Sequence, residues 1–164
     1  MNFFINYLPR NKRAFVTLLL TVFAFSFTAK AQYGDQFYNY GFEEWVNEGS
    51  STVEPAHWHS FMSASGSFNS LMSQQIEPSS AKRPGSKGNR SACIFSKKKV
   101  GIVANGNMTT GRINAGSMSP DGDNNYNYTQ RNSDYCTPLT VIPDSLTVWV
   151  AFRSKSAATA KINV

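Results

Sequence analysis

The stretch Ser145–Arg153, Ser-Leu-Thr-Val-Trp-Val-Ala-Phe-Arg, carries an apolar side chain at every second position. Successive side chains of a β-strand point to opposite faces, so this period of two predicts a strand. One face is expected to join the core and consists of Leu146, Val148, Val150 and Phe152. The opposite face is expected to meet solvent or a partner and consists of Thr147, Trp149, Ala151 and Arg153.

Further short strands are expected between loops rich in Gly, Ser, Asn and Pro, at Ser91–Phe95, Val100–Ala104 and Ala160–Val164. The polar run Ser96–Lys99 is expected to form a solvated turn or to guard a sheet edge. Helical spacing predicts one short helix, through Phe68, Leu71, Met72 and Ile76. The chain is therefore predicted to be an all-β antiparallel sandwich. Because the predicted strand Ala160–Val164 has not ended at the last residue of the sequence, we expect the domain to be incomplete at the C-terminus.

The N-terminal segment has the layout of a secretory signal peptide. A basic lead at residues 10–13 precedes the apolar run Ala14–Phe27, and Ala29-Lys30-Ala31 fits a small-x-small cleavage pattern. The run is short for a transmembrane helix, although an uncleaved membrane anchor is the alternative. No Cys lies directly after this apolar run, which argues against a lipid anchor. We expect a signal peptide at residues 1–31, a domain at residues 32–164 and export to the periplasm, outer surface or extracellular space.

The charge and the cysteine content of the chain restrict which partners and which cellular compartment are expected. Four of the sixteen basic residues lie in the predicted signal peptide and all ten acids follow it, so the mature chain has a net charge of +2. This weak bias argues against binding to nucleic acid or to an anionic membrane. Export to an oxidising compartment permits a disulfide between Cys93 and Cys136. Two buried thiols are an equally available interpretation.

Four motifs in a fixed order resemble one known family. They are Phe37–Trp45 (Phe-Tyr-Asn-Tyr-Gly-Phe-Glu-Glu-Trp), Glu54–Trp58 (Glu-Pro-Ala-His-Trp), Asn105–Ile113 and Pro143–Val150. Together they resemble the carbohydrate metabolism domain of exported proteins from gut Gram-negative bacteria, over residues 38–164 and without that family's C-terminal third. The resemblance implies a galactose-binding-like jelly roll and involvement with glycans. It carries over no catalytic residue.

The resemblance also implies a metal site. In related carbohydrate-binding modules the opening pattern Asn-x-x-Phe-Glu, matched here by Asn39, Phe42 and Glu43, often provides a structural calcium ligand. Glu43 and Asn39 are therefore candidate calcium ligands, and a loop-capping carboxylate at Glu43 is the alternative. No cofactor is required by the predicted function.

Two other stretches have metal-like spacing but incomplete patterns. Asp121–Asn125 begins like a calcium loop, yet Tyr126 stands where glycine is required, so an ordinary polar turn is favoured. His57 and His59 would share one side of a strand, which permits a zinc pair, but no third ligand cluster lies near them in sequence.

Aromatic residues on exposed faces are the candidate ligand contacts. Trp149 lies opposite the apolar row of its predicted strand, where its ring can stack on a sugar, and Arg153 on the same face can bond hydroxyl groups. The alternative is that a loop or a further segment of chain covers Trp149. Tyr126 and Tyr128 alternate in the same way and are candidate contacts carried by a loop.

The sequence contains no catalytic constellation. It lacks a Gly-x-Ser-x-Gly elbow, and no pair of carboxylates distinguishes itself as a glycosidase pair. We therefore expect an exported, non-catalytic glycan-binding or carbohydrate-utilisation accessory module whose partner is a polysaccharide. The alternative is a structural or adhesive cell-surface protein that binds protein partners.

Overall fold

The computed structural model describes residues 36–131, 133–154 and 159–163, so the predicted signal peptide lies outside the described residues. Within those ranges the chain forms short strands and one 3-10 turn, Asn69–Leu71, with no α-helix. The strands are β1 (Trp45–Val46), β2 (Glu54–Pro55), β3 (Ile76–Ser79), β4 (Ser91–Ile94), β5 (Lys97–Lys99), β6 (Ile102–Ala104), β7 (Arg112–Ala115) and β8 (Asn125–Tyr128). The all-β prediction is confirmed.

The strands pair in chain order as four antiparallel two-stranded sheets: β1 with β2, β3 with β4, β5 with β6 and β7 with β8. In the last of these, Arg112 lies opposite Tyr128 and Ala115 lies opposite Asn125. Two isolated bridges connect residues 59–65 to the chain around β7. They join His59 to Thr109 in antiparallel sense and Ser65 to Asn114 in parallel sense.

A small apolar core lies on the inner side of these hairpins. Its buried members are Val53, Ala64, Ile76, Ile113 and Ala115. In strand β7, Ile113 and Ala115 are buried, while Arg112 and Asn114 are half-exposed. This alternation is the period of two that is typical of a sheet with one face on the core and the other in solvent. The core therefore fixes which face of the β7–β8 hairpin is open to a ligand.

The prediction for Ser145–Arg153 is wrong. In the structure Leu146, Val148, Val150 and Phe152 are exposed, at 46–60% of their surface, and no strand forms there. Within the described ranges, no backbone hydrogen bond joins residues 145–153 to another segment. A strand needs a neighbour for its N–H and C=O groups, and an apolar row needs an opposing layer. The described chain supplies neither, so alternation alone does not produce a strand.

Other predicted elements are corrected in their bounds. Ser91–Phe95 and Val100–Ala104 are confirmed as strands, at β4 and β6, whereas residues 159–163 are exposed and irregular. The predicted helix shrinks to the 3-10 turn, and Ile76 instead begins β3. A 3-10 turn of three residues suffices here because the chain must extend again to pair with β4.

The lysine run is also corrected, because Lys97–Lys99 forms β5 rather than a turn. The reversal occupies the next two residues, Val100 and Gly101, which have φ angles of +47° and +83°. Two consecutive positive φ angles are the signature of a tight hairpin turn, and glycine tolerates its position well. All three lysines remain exposed, in agreement with the expected solvated edge.

Two further features concern the cysteines and the capacity of helices to cross a membrane. Cys93, in β4, and Cys136 are half-buried free thiols in this structure, so the disulfide stays a prediction. None of the helices in the described part of the chain has the length and apolar character needed to cross a membrane.

Candidate ligand-binding face of the β7–β8 hairpin

The outer face of the β7–β8 hairpin gathers polar and aromatic side chains. The register places Arg112 opposite Tyr128 and Asn114 opposite Tyr126, and directly opposed residues share one face. Tyr126 is 51% exposed, and its ring meets the ring of Tyr128 edge-on at 5.8 Å between centroids. Both tyrosines therefore lie on a strand and not on a loop, which corrects the sequence expectation.

The loop between the two strands is closed by one side chain. The Asn125 Oδ1 atom accepts the N–H groups of Gly116 and Ser117, at 3.1 and 3.0 Å. Its Nδ2 atom donates to the carbonyls of Ser117 and Ser119, at 3.1 and 2.6 Å. These four bonds hold the polar turn and fix where β8 begins. The segment Asp121–Asn125 thus ends a turn, as the favoured interpretation predicted.

Ser65 ties the hairpin to the preceding segment. Its N–H donates to the carbonyl of Ile113 at 2.8 Å, and its carbonyl accepts the N–H of Ala115 at 2.7 Å. The Ser65 hydroxyl lies 3.1 Å from the phenol oxygen of Tyr128. The backbone pairing therefore positions a hydroxyl that orients the Tyr128 ring.

Tyr135 extends this surface beyond the hairpin. Its ring centroid lies 4.4 Å from the ring of His59 and 4.7 Å from the guanidinium carbon of Arg112. The Arg112 Nε atom donates to the carbonyl of Ser63 at 3.2 Å. We call the whole surface the tyrosine face and define it by Tyr126, Tyr128, Tyr135, His59, Arg112 and Asn114.

A buried carboxylate supports the tyrosine face from below. Glu54 is only 7% exposed, and its Oε1 atom accepts three hydrogen bonds. The donors are the Ser60 N–H and hydroxyl, both at 2.6 Å, and the Ser63 hydroxyl at 3.0 Å. Such donors replace the water that the carboxylate loses on burial. Glu54 thereby fixes Ser63, whose carbonyl in turn holds Arg112.

The same network extends to His59. Its Nδ1 atom lies 3.1 Å from the hydroxyl oxygen of Ser63, and its Nε2 atom lies 3.1 Å from the carbonyl oxygen of Asp134. Both ring nitrogens of His59 are therefore engaged by polar groups of the protein.

A cavity of about 480 Å³ lies beside the chain segment that carries Tyr135. It is lined by Arg131, Ser133, Asp134, Cys136 and Pro138. This volume falls in the range of small-ligand sites. None of the residues that define the tyrosine face lines this cavity, although the Asp134 carbonyl oxygen contacts His59 Nε2.

The other predicted ligand contacts lie elsewhere. Trp149 is 70% exposed, but the row of side chains predicted to be buried on the opposite face is exposed as well, so the predicted division into two faces is wrong. The guanidinium of Arg83 lies 4.5 Å from the ring centroid of Trp149. Arg153 is exposed as well. Without a strand at residues 145–153, no sheet face unites Trp149 with Arg153. Of the four predicted residues, the structure brings together only Tyr126 and Tyr128.

The predicted calcium ligands act as caps of loops in this structure. Glu43 Oε1 accepts the N–H groups of Asn89 and Arg90, at 2.8 and 3.1 Å. Asn39 Nδ2 donates to the carbonyls of Glu44 and Ala56, at 2.8 and 3.0 Å, and its Oδ1 accepts the Glu44 N–H. Both side chains thus satisfy backbone groups. Calcium at Glu43 and Asn39 stays a prediction.

The two histidines do not share one side of a strand. His57 has a φ angle of +65°, which breaks the extended backbone, and its ring lies 4.9 Å from that of Tyr38. The ring of His59 instead contacts Tyr135. Across the described ranges, no three His, Cys, Asp or Glu residues come together in a group that could hold a metal ion.

Sequence reasoning missed Arg112, Asn114, Tyr135 and the buried Glu54. A signal for the first two was present. Residues 112–115 alternate polar and apolar, residues 125–128 alternate Asn and Tyr, and a loop rich in Asn, Asp and Gly separates them. Two such stretches around a loop of turn residues predict a hairpin. Nothing local signals Tyr135, since a tertiary contact brings it to Arg112.

Comparison of the chain with models of protein families, with curated proteins and with solved structures finds no match in any of the three. The class that the structure itself defines is a β-rich protein of small antiparallel hairpins with an exposed polar and aromatic face.

Proposed function

We propose that this protein is an exported, non-catalytic module that binds glycans, and that the tyrosine face is its binding surface. The observation that carries the proposal is the exposed ring of Tyr126 on the same hairpin face as Tyr128, Arg112 and Asn114. An aromatic ring buries the apolar C–H face of a sugar at low cost in side-chain entropy. Arginine and asparagine provide the hydrogen bonds that sugar hydroxyls need.

Three features of the sequence are consistent with this proposal. The predicted signal peptide places the protein where polysaccharides occur, and the family resemblance implies involvement with glycans. The weak net charge of the mature chain argues against nucleic acid as the partner. In this proposal the four hairpins belong to a jelly-roll-like sandwich, and the module needs no cofactor, with a structural calcium at Glu43 and Asn39 as an additional hypothesis.

The proposal is tested by screening the full chain on a glycan array and by measuring the affinity for the best glycan. Tyr126→Ala is expected to weaken binding by about tenfold or more, because it removes a stacking platform. Tyr40→Ala is the matched control, since Tyr40 is 63% exposed and lies outside the tyrosine face. Absence of any glycan ligand, or equal losses in the two variants, would reject this function.

A specific observation favours a second candidate, an adhesive or structural protein that binds protein partners. Residues 139–152 expose a series of apolar side chains, and Ile142 is 96% exposed. Exposed apolar patches of this kind often mark interaction surfaces. Under this alternative, Ile142→Asp would abolish co-purification of surface proteins with the full chain and leave glycan binding unchanged. If Ile142→Asp leaves co-purification unchanged, the adhesive function is rejected.

A further inference from the structure

We infer that the tyrosine face selects acidic glycans and that Arg112 binds the carboxylate of a uronic acid unit. This inference rests on the proposed glycan-binding function and names the ligand class for the same face. It depends on the guanidinium of Arg112 and on the two tyrosine rings of β8.

Arg112 is held in place before any ligand arrives. Its Nε atom donates to the Ser63 carbonyl at 3.2 Å, and its guanidinium lies over the ring of Tyr135 at 4.7 Å. Within the described residues, its two terminal nitrogens make no hydrogen bond. A guanidinium fixed through Nε and through its plane leaves a rigid pair of donors, which matches the two oxygens of a carboxylate.

The charge of Arg112 has no acidic partner. The one ion pair within the described ranges joins Arg90 to Glu48 at 2.6 Å, where the hydrogen bond that Arg90 donates to Glu48 raises the pKa of Arg90. Arg112 is half-buried, so it has lost part of its hydration without gaining a carboxylate. Glu54 does not serve this purpose, because no ion pair joins it to Arg112 among the described residues. A ligand carboxylate would complete the environment of Arg112.

His59 lies against the same ring but has no polar atom left for a ligand. Its ring contacts Tyr135, and its two nitrogens lie 3.1 Å from the Ser63 hydroxyl and from the Asp134 carbonyl oxygen. Arg112 is therefore the group at this ring that retains donors for an anion. Asp134 contributes its backbone carbonyl to this network, and that carbonyl is occupied by His59.

The spacing between Arg112 and the tyrosines of β8 fits a sugar that carries a carboxylate. Arg112 lies directly opposite Tyr128, and Tyr126 lies one pair further along the same face. Opposed side chains in such a pair start about 5 Å apart. A sugar ring stacked on the tyrosines would therefore place the carboxylate on its C5 carbon within reach of Arg112. Neutral sugars offer only hydroxyls and leave that guanidinium without an anion.

The test uses the full chain at 0.15 M salt and three polyuronates: polygalacturonate, alginate and hyaluronan. Each polysaccharide is compared with its own methyl ester, which keeps the sugar backbone and removes the charge. We expect at least one acid form to bind about tenfold or more tightly than its ester. Arg112→Gln should abolish this preference. Lys98→Gln, which removes one exposed charge from β5, should retain it.

Arg112→Lys separates geometry from charge, and a thermal melt of each variant confirms that it folds. The lysine variant keeps the charge but lacks the planar donor pair, so it should lose most of the preference. Equal effects of Lys98→Gln and Arg112→Gln would instead show general attraction between polyelectrolytes and overturn the inference. If each ester binds as well as its acid form and Tyr126→Ala abolishes both, the acidic class is wrong and the glycan-binding function stands. If no glycan of any kind binds, both fail.

Discussion

Gly66 and Ala115 approach each other so closely that a Cβ atom on Gly66 would lie 2.5 Å from the carbonyl oxygen of Ala115. Gly66 also has a φ angle of +102°, which residues with a side chain rarely adopt. Ser65 precedes it and pairs with β7 on both sides of Asn114. The glycine therefore lets the chain turn directly after Ser65 while remaining against the β7 backbone.

The first prediction concerns this contact. Gly66→Ala should lower the free energy of unfolding by about 2 kcal/mol or more, since positive φ strain and a clash with backbone atoms add. Gly49→Ala is the matched control, because Gly49 has a φ angle of +80° and open space where its Cβ atom would stand. It should cost about 1 kcal/mol, from φ strain alone. Urea denaturation of the full chain measures both, and equal losses would contradict the assigned contact.

The second prediction concerns the buried carboxylate. Glu54→Gln should lower the free energy of unfolding by about 2 kcal/mol, because a neutral amide oxygen accepts the three hydrogen bonds at the Oε1 position more weakly than a carboxylate oxygen. Glu77→Gln, on the exposed side of β3, should change it by less than about 0.5 kcal/mol. Glu54→Gln should also weaken glycan binding, since Ser63 then loses its anchor. A carboxylate that merely sits at the surface would show no difference between the two variants.

The third prediction tests the absence of a strand at residues 145–153. Val148 is 51% exposed and Val53 is 4% exposed. Val53→Ala should therefore cost about 2 kcal/mol of unfolding free energy, whereas Val148→Ala should cost less than about 0.5 kcal/mol. Denaturant titration of the full chain compares the two directly. A loss of 2 kcal/mol at Val148 would restore the sandwich layer that the alternating sequence predicts.

Much of the secondary structure could be predicted from local patterns. The strands at Ser91–Ile94 and Ile102–Ala104 are rich in apolar residues, and the all-β class follows from the scarcity of helical spacing. The position of the turn could not be predicted. Val100 is an unusual residue at a positive φ angle, and the sequence therefore predicts the turn at the lysine run instead.

The candidate site shows the opposite balance. Tyr126 and Tyr128 could be singled out because they alternate, and their shared face follows from the register with Asn114 and Arg112. The sequence does not indicate a binding role for Arg112, since a single arginine in a strand is usually solvated. Only the contacts with Ser63 and Tyr135 make it a fixed donor group, and Ser63 lies 49 positions away along the chain.

By itself the sequence determined what short-range chemistry controls: the β-rich character and the polar turn that Asn125 closes. Tertiary structure decided which alternating stretch gains a partner. β7 pairs with β8 and buries Ile113, whereas residues 145–153 have the stronger alternation and pair with no described segment. The reason is that a strand is stabilised by hydrogen bonds and burial against another segment, and neither quantity is encoded in its own residues.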